Sequence, residues 1–113
     1  MDLEIVLGRE SEACVVALRG EVDVYTAPAL RNRLVEAVEG ECGVIIVDMT
    51  GVDFIDSSGL GVLVSALKRV REHDAVMRIV CAKESILKIF KITGLDRVFP
   101  ISSTLAEAIK PEE

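Results

Sequence analysis

Gly43-Val44-Ile45-Ile46-Val47-Asp48-Met49 is the stretch that decides the fold. Its apolar residues run almost without a break, β-branched types dominate, and it is too short for a buried helix. A strand of that composition is covered on both faces, as the central strand of a sheet flanked by helices is. Before it, Leu30, Leu34, Val35 and Val38 recur at helical spacing. Thr26 is a candidate cap for that helix, Pro28 suits its first turn and Gly40 ends it. After it, a turn is expected at Thr50-Gly51, and a second helix follows Asp56-Ser57-Ser58-Gly59. Leu60, Leu63, Val64 and Leu67 mark one face of that helix, with Lys68, Arg69, Arg71 and Glu72 towards its polar end.

Further out, the hydrophobic period keeps changing. Leu3, Ile5 and Leu7 alternate with polar or small residues, and residues 13–19 (ACVVALR) form a second β pattern. Gly8 to Glu12 joins them as a polar turn, so the chain opens with an antiparallel hairpin, and Gly20-Glu21-Val22-Asp23 breaks its second strand. Beyond the second helix come a short strand at residues 77–81 and a third helix at 85–92, closed by Gly94. A last short strand at 98–101 precedes a final helix at 104–110. There Thr104 and Glu107 have capping-box spacing, and Pro111 is the stop. The order β-β-α-β-α-β-α-β-α implies right-handed crossovers and a mostly parallel sheet. The expected fold is α/β: a mixed sheet opened by a hairpin, with about four helices mainly on one face. The opposite face then needs cover from the first strands or from a partner.

The 113 residues make one domain, 1–113, and half of them are hydrophobic, enough for a true core. Asp and Glu total 19 against 13 Lys and Arg, a net charge of −6. That field repels a phosphate backbone, and the absence of Trp with only 4% aromatics removes base-stacking platforms. No nucleic acid is therefore expected as a partner. No apolar run approaches the ~20 residues of a membrane span, and the acidic start Met1-Asp2-Leu3-Glu4 is unlike a secretory signal. A soluble, cytoplasmic protein is expected. Cys14, Cys42 and Cys81 are odd in number and widely spaced, so they read as reduced cysteines packed as small hydrophobes. His73 reads as a solvated helix end, beside the C-terminal dipole.

Asp53-Phe54-Ile55-Asp56-Ser57-Ser58-Gly59-Leu60-Gly61 joins the central strand to the second helix and is the one segment that carries chemistry. Asp56, Ser57 and Ser58 are residue types that cap a helix start. Two glycines in a first turn weaken a helix, and close approach of a neighbouring loop or a partner backbone would account for them. Enzyme motifs fail here. There is no GxxxxGK[ST], Val64 stands where a dinucleotide fingerprint needs its third Gly, and Asp-Ser-Ser-Gly is not GxSxG. His73 lies about four turns from Ser57 along the same helix, on the order of 20 Å away, too far for a triad. Asp23, Asp53 and Asp56 have no spacing that would make them a metal set. The chain is read as no enzyme, with no metal and no cofactor.

The string from Asp53 to Leu63 closely resembles the signature of STAS-domain anti-sigma factor antagonists, the small bacterial proteins of the SpoIIAA and RsbV type. Gly20 to Pro28 is similar to that family's turn after the second strand, Gly43 to Asp48 to its central strand, and Phe90 to Leu95 to the end of its third helix. The resemblance implies partner switching. The unphosphorylated antagonist binds an anti-sigma factor that is also a serine kinase, which frees the sigma factor. Phosphorylation then releases the antagonist, and a PP2C-type phosphatase restores it. It implies Ser57 as the phosphorylated residue, with Ser58 as the alternative, and Asp23 as an acidic position near that serine at the kinase interface. The expected binding surface comprises Asp23, Asp56, Ser57, Ser58, Gly59, Gly61 and Val62, on a chain that is a monomer when free. ATP would belong to the kinase. The competing role is a structural or regulatory STAS subunit of a larger stress-sensing or lipid-transport assembly that has no kinase cycle.

Overall fold

The computed structural model describes residues 2–40 and 42–110. Five strands form one sheet in the order β1-β2-β3-β4-β5. β1 (Leu3–Glu10) pairs antiparallel with β2 (Ala13–Val22). β3 (Val44–Ile55), β4 (Val76–Val80) and β5 (Ile101–Ser102) follow in parallel. Helices α1 (Ala27–Glu39), α2 (Ser57–Glu72) and α3 (Glu84–Thr93) connect them, and α4 (Leu105–Ile109) closes the described chain. The α/β class, the opening hairpin and the mixed, mostly parallel sheet are as expected.

The main core lies under α1, α2 and α3. Val16, Leu18, Ile45, Val47 and Met49 from the sheet meet Leu30, Leu34, Leu63, Leu67, Ile86 and Phe90 from the helices. The opposite face carries a smaller core, in which α4 sets Ala108 against Ala13, Val15, Ile46 and Val80. Thus α4 supplies cover on that side, which the first strands were expected to give within the chain. Arg78 of β4 anchors it by donating to the carbonyl of Ala108 at 2.7 Å. Thr104 accepts from Glu107 N–H as a cap should, but the Glu107 carboxylate reaches back to Ser103 N–H. The stop expected at Pro111 lies outside the described residues.

Four sequence boundaries move. β1 runs through Gly8 to Glu10, because those residues stay paired with β2, and the turn expected from Gly8 shrinks to Ser11-Glu12. β2 runs to Val22, past the break expected at Gly20, because Gly20 adopts φ +118° and lets the strand bend beside Asp2 without ending. β3 continues through Thr50-Gly51 to Ile55. The last short strand begins at Ile101, because Leu95–Arg97 is a 3-10 turn. Val64, read as a core position of α2, is exposed, whereas Leu60, Leu63 and Leu67 are buried.

The extension of β3 has a physical cause. Ala17 pairs with Asp48 but Arg19 pairs with Gly51, and Gly20 pairs with Val52 but Glu21 pairs with Phe54. Each step places one extra residue in β3, the signature of a bulge. The core-facing parity therefore changes from Met49 to Val52 and again from Val52 to Ile55. Simple alternation has no means of continuing through two such changes.

Cys14 and Cys42 correct another expectation, for they form a disulfide with their Cα atoms 6.0 Å apart. The pairing follows from topology. Cys14 stands beside Ile45 in the parallel register, so Cys42, two residues before β3, comes alongside the start of β2. A separation of 28 residues in the chain conceals that adjacency. Cys81 remains a buried thiol, as expected. Burial pushes its pKa up, against smaller opposing effects from Lys83.

Candidate functional site at the carboxyl end of the sheet

The carboxyl ends of β2 and β3 converge on the start of α2. Asp56 N–H donates to the carbonyl of Val22 at 3.1 Å, which ties the two strand ends together. The Asp56 carboxylate then caps α2, accepting from Ser58 N–H at 2.9 Å and Gly59 N–H at 3.1 Å. Two N–H groups that lack intrahelical partners are thereby satisfied. Ser57 is the first residue of α2 and is exposed, while Ser58 is half-buried. The cap is thus Asp56 alone, and Ser57 is left facing outward.

The turn after β2 is built in the same manner. Asp23 Oδ1 accepts from Tyr25 N–H at 2.9 Å and from Thr26 N–H at 3.0 Å. The Thr26 hydroxyl donates to the carbonyl of Glu21 at 2.8 Å. Thr26 therefore serves this turn and makes no side-chain cap to α1, contrary to its expected role. The Thr26 backbone N–H, helped by Tyr25 N–H and the Thr26 hydroxyl, holds the Asp23 carboxyl below the usual carboxylate range against the opposing effect of desolvation.

Asp53 occupies the second bulge and turns to Lys83, whose Nζ lies 2.7 Å from Oδ1. Its charge is countered there. His73 ends α2 as expected, with Nδ1–H donating to the carbonyl of Arg69 at 2.9 Å.

The two glycines of α2 have separate explanations. A Cβ on Gly59 would stand 2.5 Å from Cγ1 of Val22 and 2.8 Å from Cγ1 of Ile55, both buried side chains. Gly59 is needed for packing within this chain, where the close neighbours are side chains rather than another backbone. Gly61 is exposed, with nothing within 4 Å of a built Cβ, so it leaves open surface beside Ser57. Val62 is half-buried and packs against the main core.

Sequence reasoning missed the apolar rim. Val24, Tyr25 and Phe54 are 58%, 86% and 47% exposed, and they stand on the turn and strand end that adjoin Asp56. Phe54 reads as core by type, and only the bulge at Asp53 explains why it faces out. Exposed aromatic side chains grouped with polar ones are a feature of binding surfaces.

Comparison with known proteins gives a consistent result. The STAS domain family matches residues 4–108. The anti-sigma-B factor antagonist of Bacillus subtilis is 32% identical over 103 residues, 91% of this chain and 94% of that protein. A crystal structure of an anti-sigma factor antagonist from Mycobacterium paratuberculosis superposes with a TM-score of 0.89 at 26% identity, covering 96% of this chain and 92% of that one. The Bacillus cell fate determinant SpoIIAA in its phosphorylated form shares the fold, with a TM-score of 0.73 at 24% identity over 94% of this chain and 96% of that one.

Proposed function

The chain belongs to the STAS domain family, and from that premise we propose that it is an anti-sigma factor antagonist that works by partner switching in the cytoplasm. The unphosphorylated protein, free as a monomer, binds an anti-sigma factor that is also a serine kinase. That kinase phosphorylates Ser57 and is released, and a PP2C-type phosphatase restores the antagonist. The chain carries no catalysis of its own in this cycle. The binding surface combines Asp23, Asp56, Ser57, Ser58, Gly61 and Val62 with the rim of Val24, Tyr25 and Phe54, while Gly59 keeps α2 seated beneath it.

One observation carries the reading: Ser57 is exposed at the start of α2 while Asp56 already satisfies the cap. A phosphate there adds about −1.5 to −2 charges without displacing any hydrogen bond of the fold. The helix dipole favours it by about 0.3–1 kcal/mol, so the domain tolerates the modification. An interface does not tolerate it. The adjacent Asp56 carboxylate repels it, and two charges ~6 Å apart at an effective dielectric of ~20 repel by roughly 3 kcal/mol, less where water screens them. A loss of that size weakens binding more than tenfold.

The test is to incubate the purified chain with each serine-kinase anti-sigma factor of its own genome and ATP, then record intact mass and map the site. A single phosphate on Ser57, and binding at least tenfold weaker for Ser57→Asp, are expected. Phosphate on Ser58 alone would overturn the site assignment. Stable binding without phosphoryl transfer would overturn the cycle and point to a subunit of a larger assembly. Failure to bind any of these kinases would overturn the antagonist role.

A further inference from the structure

We propose that Cys14 and Cys42 form a reversible redox site that small thiols and their disulfides close and open. The site lies at the amino end of the parallel strands, away from Ser57. Cys14 begins β2 and Cys42 precedes β3, and their 6.0 Å Cα separation is within the range a disulfide spans without moving the backbone. Both cysteines line an open cleft of about 410 Å³, bordered by Leu7, Arg9, Glu36 and Gly40. Cys42 also borders a second cleft of about 450 Å³ with Val38, Glu39, Gly43 and His73. Cys14 is half-buried and Cys42 is buried, so a reagent entering the first cleft meets Cys14 first. The third cysteine is set apart from this chemistry, since Cys81 is buried and burial raises its pKa.

The exchange balances as follows. A small thiolate attacks Sγ of Cys14, the Cys14–Cys42 bond breaks, and the Cys42 sulfur leaves as a thiolate that takes a proton. A second small thiol then resolves the mixed disulfide at Cys14. Cys14 leaves as a thiol and the two small thiols leave joined as their own disulfide, having supplied both electrons. The same steps reversed re-form the bond. Disulfides of proteins in a reducing compartment are typically transient or redox-sensing, which favours a switch over a permanent staple. That last point rests on the cytoplasmic placement proposed above, whereas the exchange chemistry does not.

The closed loop spans 28 residues and contains α1 and the Asp23–Thr26 turn beside Ser57. Opening it releases the unfolded chain from a constraint, so the reduced protein melts lower by on the order of 10 °C. The experiment uses the full chain equilibrated in graded ratios of oxidised to reduced glutathione, with thiol count by alkylation and mass, and melting temperature, as readouts. A two-electron transition of one thiol pair is expected, mapped to Cys14 and Cys42, with the melting temperature following it. Cys81→Ala should leave the transition in place, and Cys14→Ala should abolish it. Three free thiols at every ratio would overturn the proposal. So would a disulfide that no glutathione ratio opens, or a melting temperature indifferent to the transition. None of these outcomes bears on kinase binding, so this proposal and the antagonist reading fail separately.

Discussion

The two ends of the sheet are secured by different means. At the amino end, a covalent bond joins the start of β2 to Cys42, two residues before β3. At the carboxyl end, the hold comes from Asp56 on two N–H groups, Asp23 on two more, and one backbone bond from Asp56 to Val22. The ion pair between Lys83 and Asp53 adds little, for its side chains are 41% and 70% exposed, and pairs so wet contribute about 0–1 kcal/mol. The difference teaches how a surface can be kept free for a partner. Short polar side chains folded back onto the backbone fix the loops, and the outward positions are left to Ser57, Gly61, Tyr25 and Phe54.

That contrast can be broken at Gly59. If the carboxyl end is rigidly packed beneath its surface, Gly59→Val drives methyl groups into Val22 and Ile55 and destabilises the domain by about 3 kcal/mol. Gly61→Ala meets nothing and raises stability by up to about 1 kcal/mol through helix propensity. Urea midpoints of the two variants measure both. Equal effects at the two glycines would mean that the floor of the site yields.

A smaller change sharpens the comparison. Asp56→Ala removes the α2 cap and costs about 1 kcal/mol, less than reducing the disulfide costs, as thermal melts under oxidising and reducing conditions will register. A loss as large as that of reduction would mean that the polar hold equals the covalent one. The smallest effect belongs to Asp23. Its carboxyl ionises more readily in the folded state, so it adds stability above the ordinary Asp range, near pH 3.9. That stability is lost as pH falls through the lower folded value. Asp23→Asn should therefore lower the melting temperature slightly at neutral pH, leave it unchanged below the folded value, and so flatten the acid limb of the stability curve.

Much of this was legible in the sequence, and the exceptions share one origin. The central strand, the helices before and after it, the hairpin and the succession of strands and helices along the chain follow from periodicity, because each is a local pattern of apolar residues. Asp56 as a cap and Ser57 at the helix start are equally local. What stayed hidden depends on how neighbouring strands align. The bulges at the end of β3 decide that Phe54 faces solvent and that Asp53 meets Lys83, and only the register with β2 reveals them. The same alignment brings Cys14 to Cys42 and seats Gly59 on Val22, two contacts between residues far apart in the chain.

The strand order 1-2-3-4-5 has a consequence for synthesis on the ribosome. Each strand after the first pairs with the one made just before it, so each ladder needs only the next strand in the chain and never a more distant one. One pairing closes a tight hairpin and the other three close single helical crossovers of about 20 residues, and loop closure grows dearer only slowly with length. A sheet paired in chain order has a lower contact order than one whose neighbouring strands lie further apart in the sequence, and so a shorter time for which strand edges stand open to neighbouring chains.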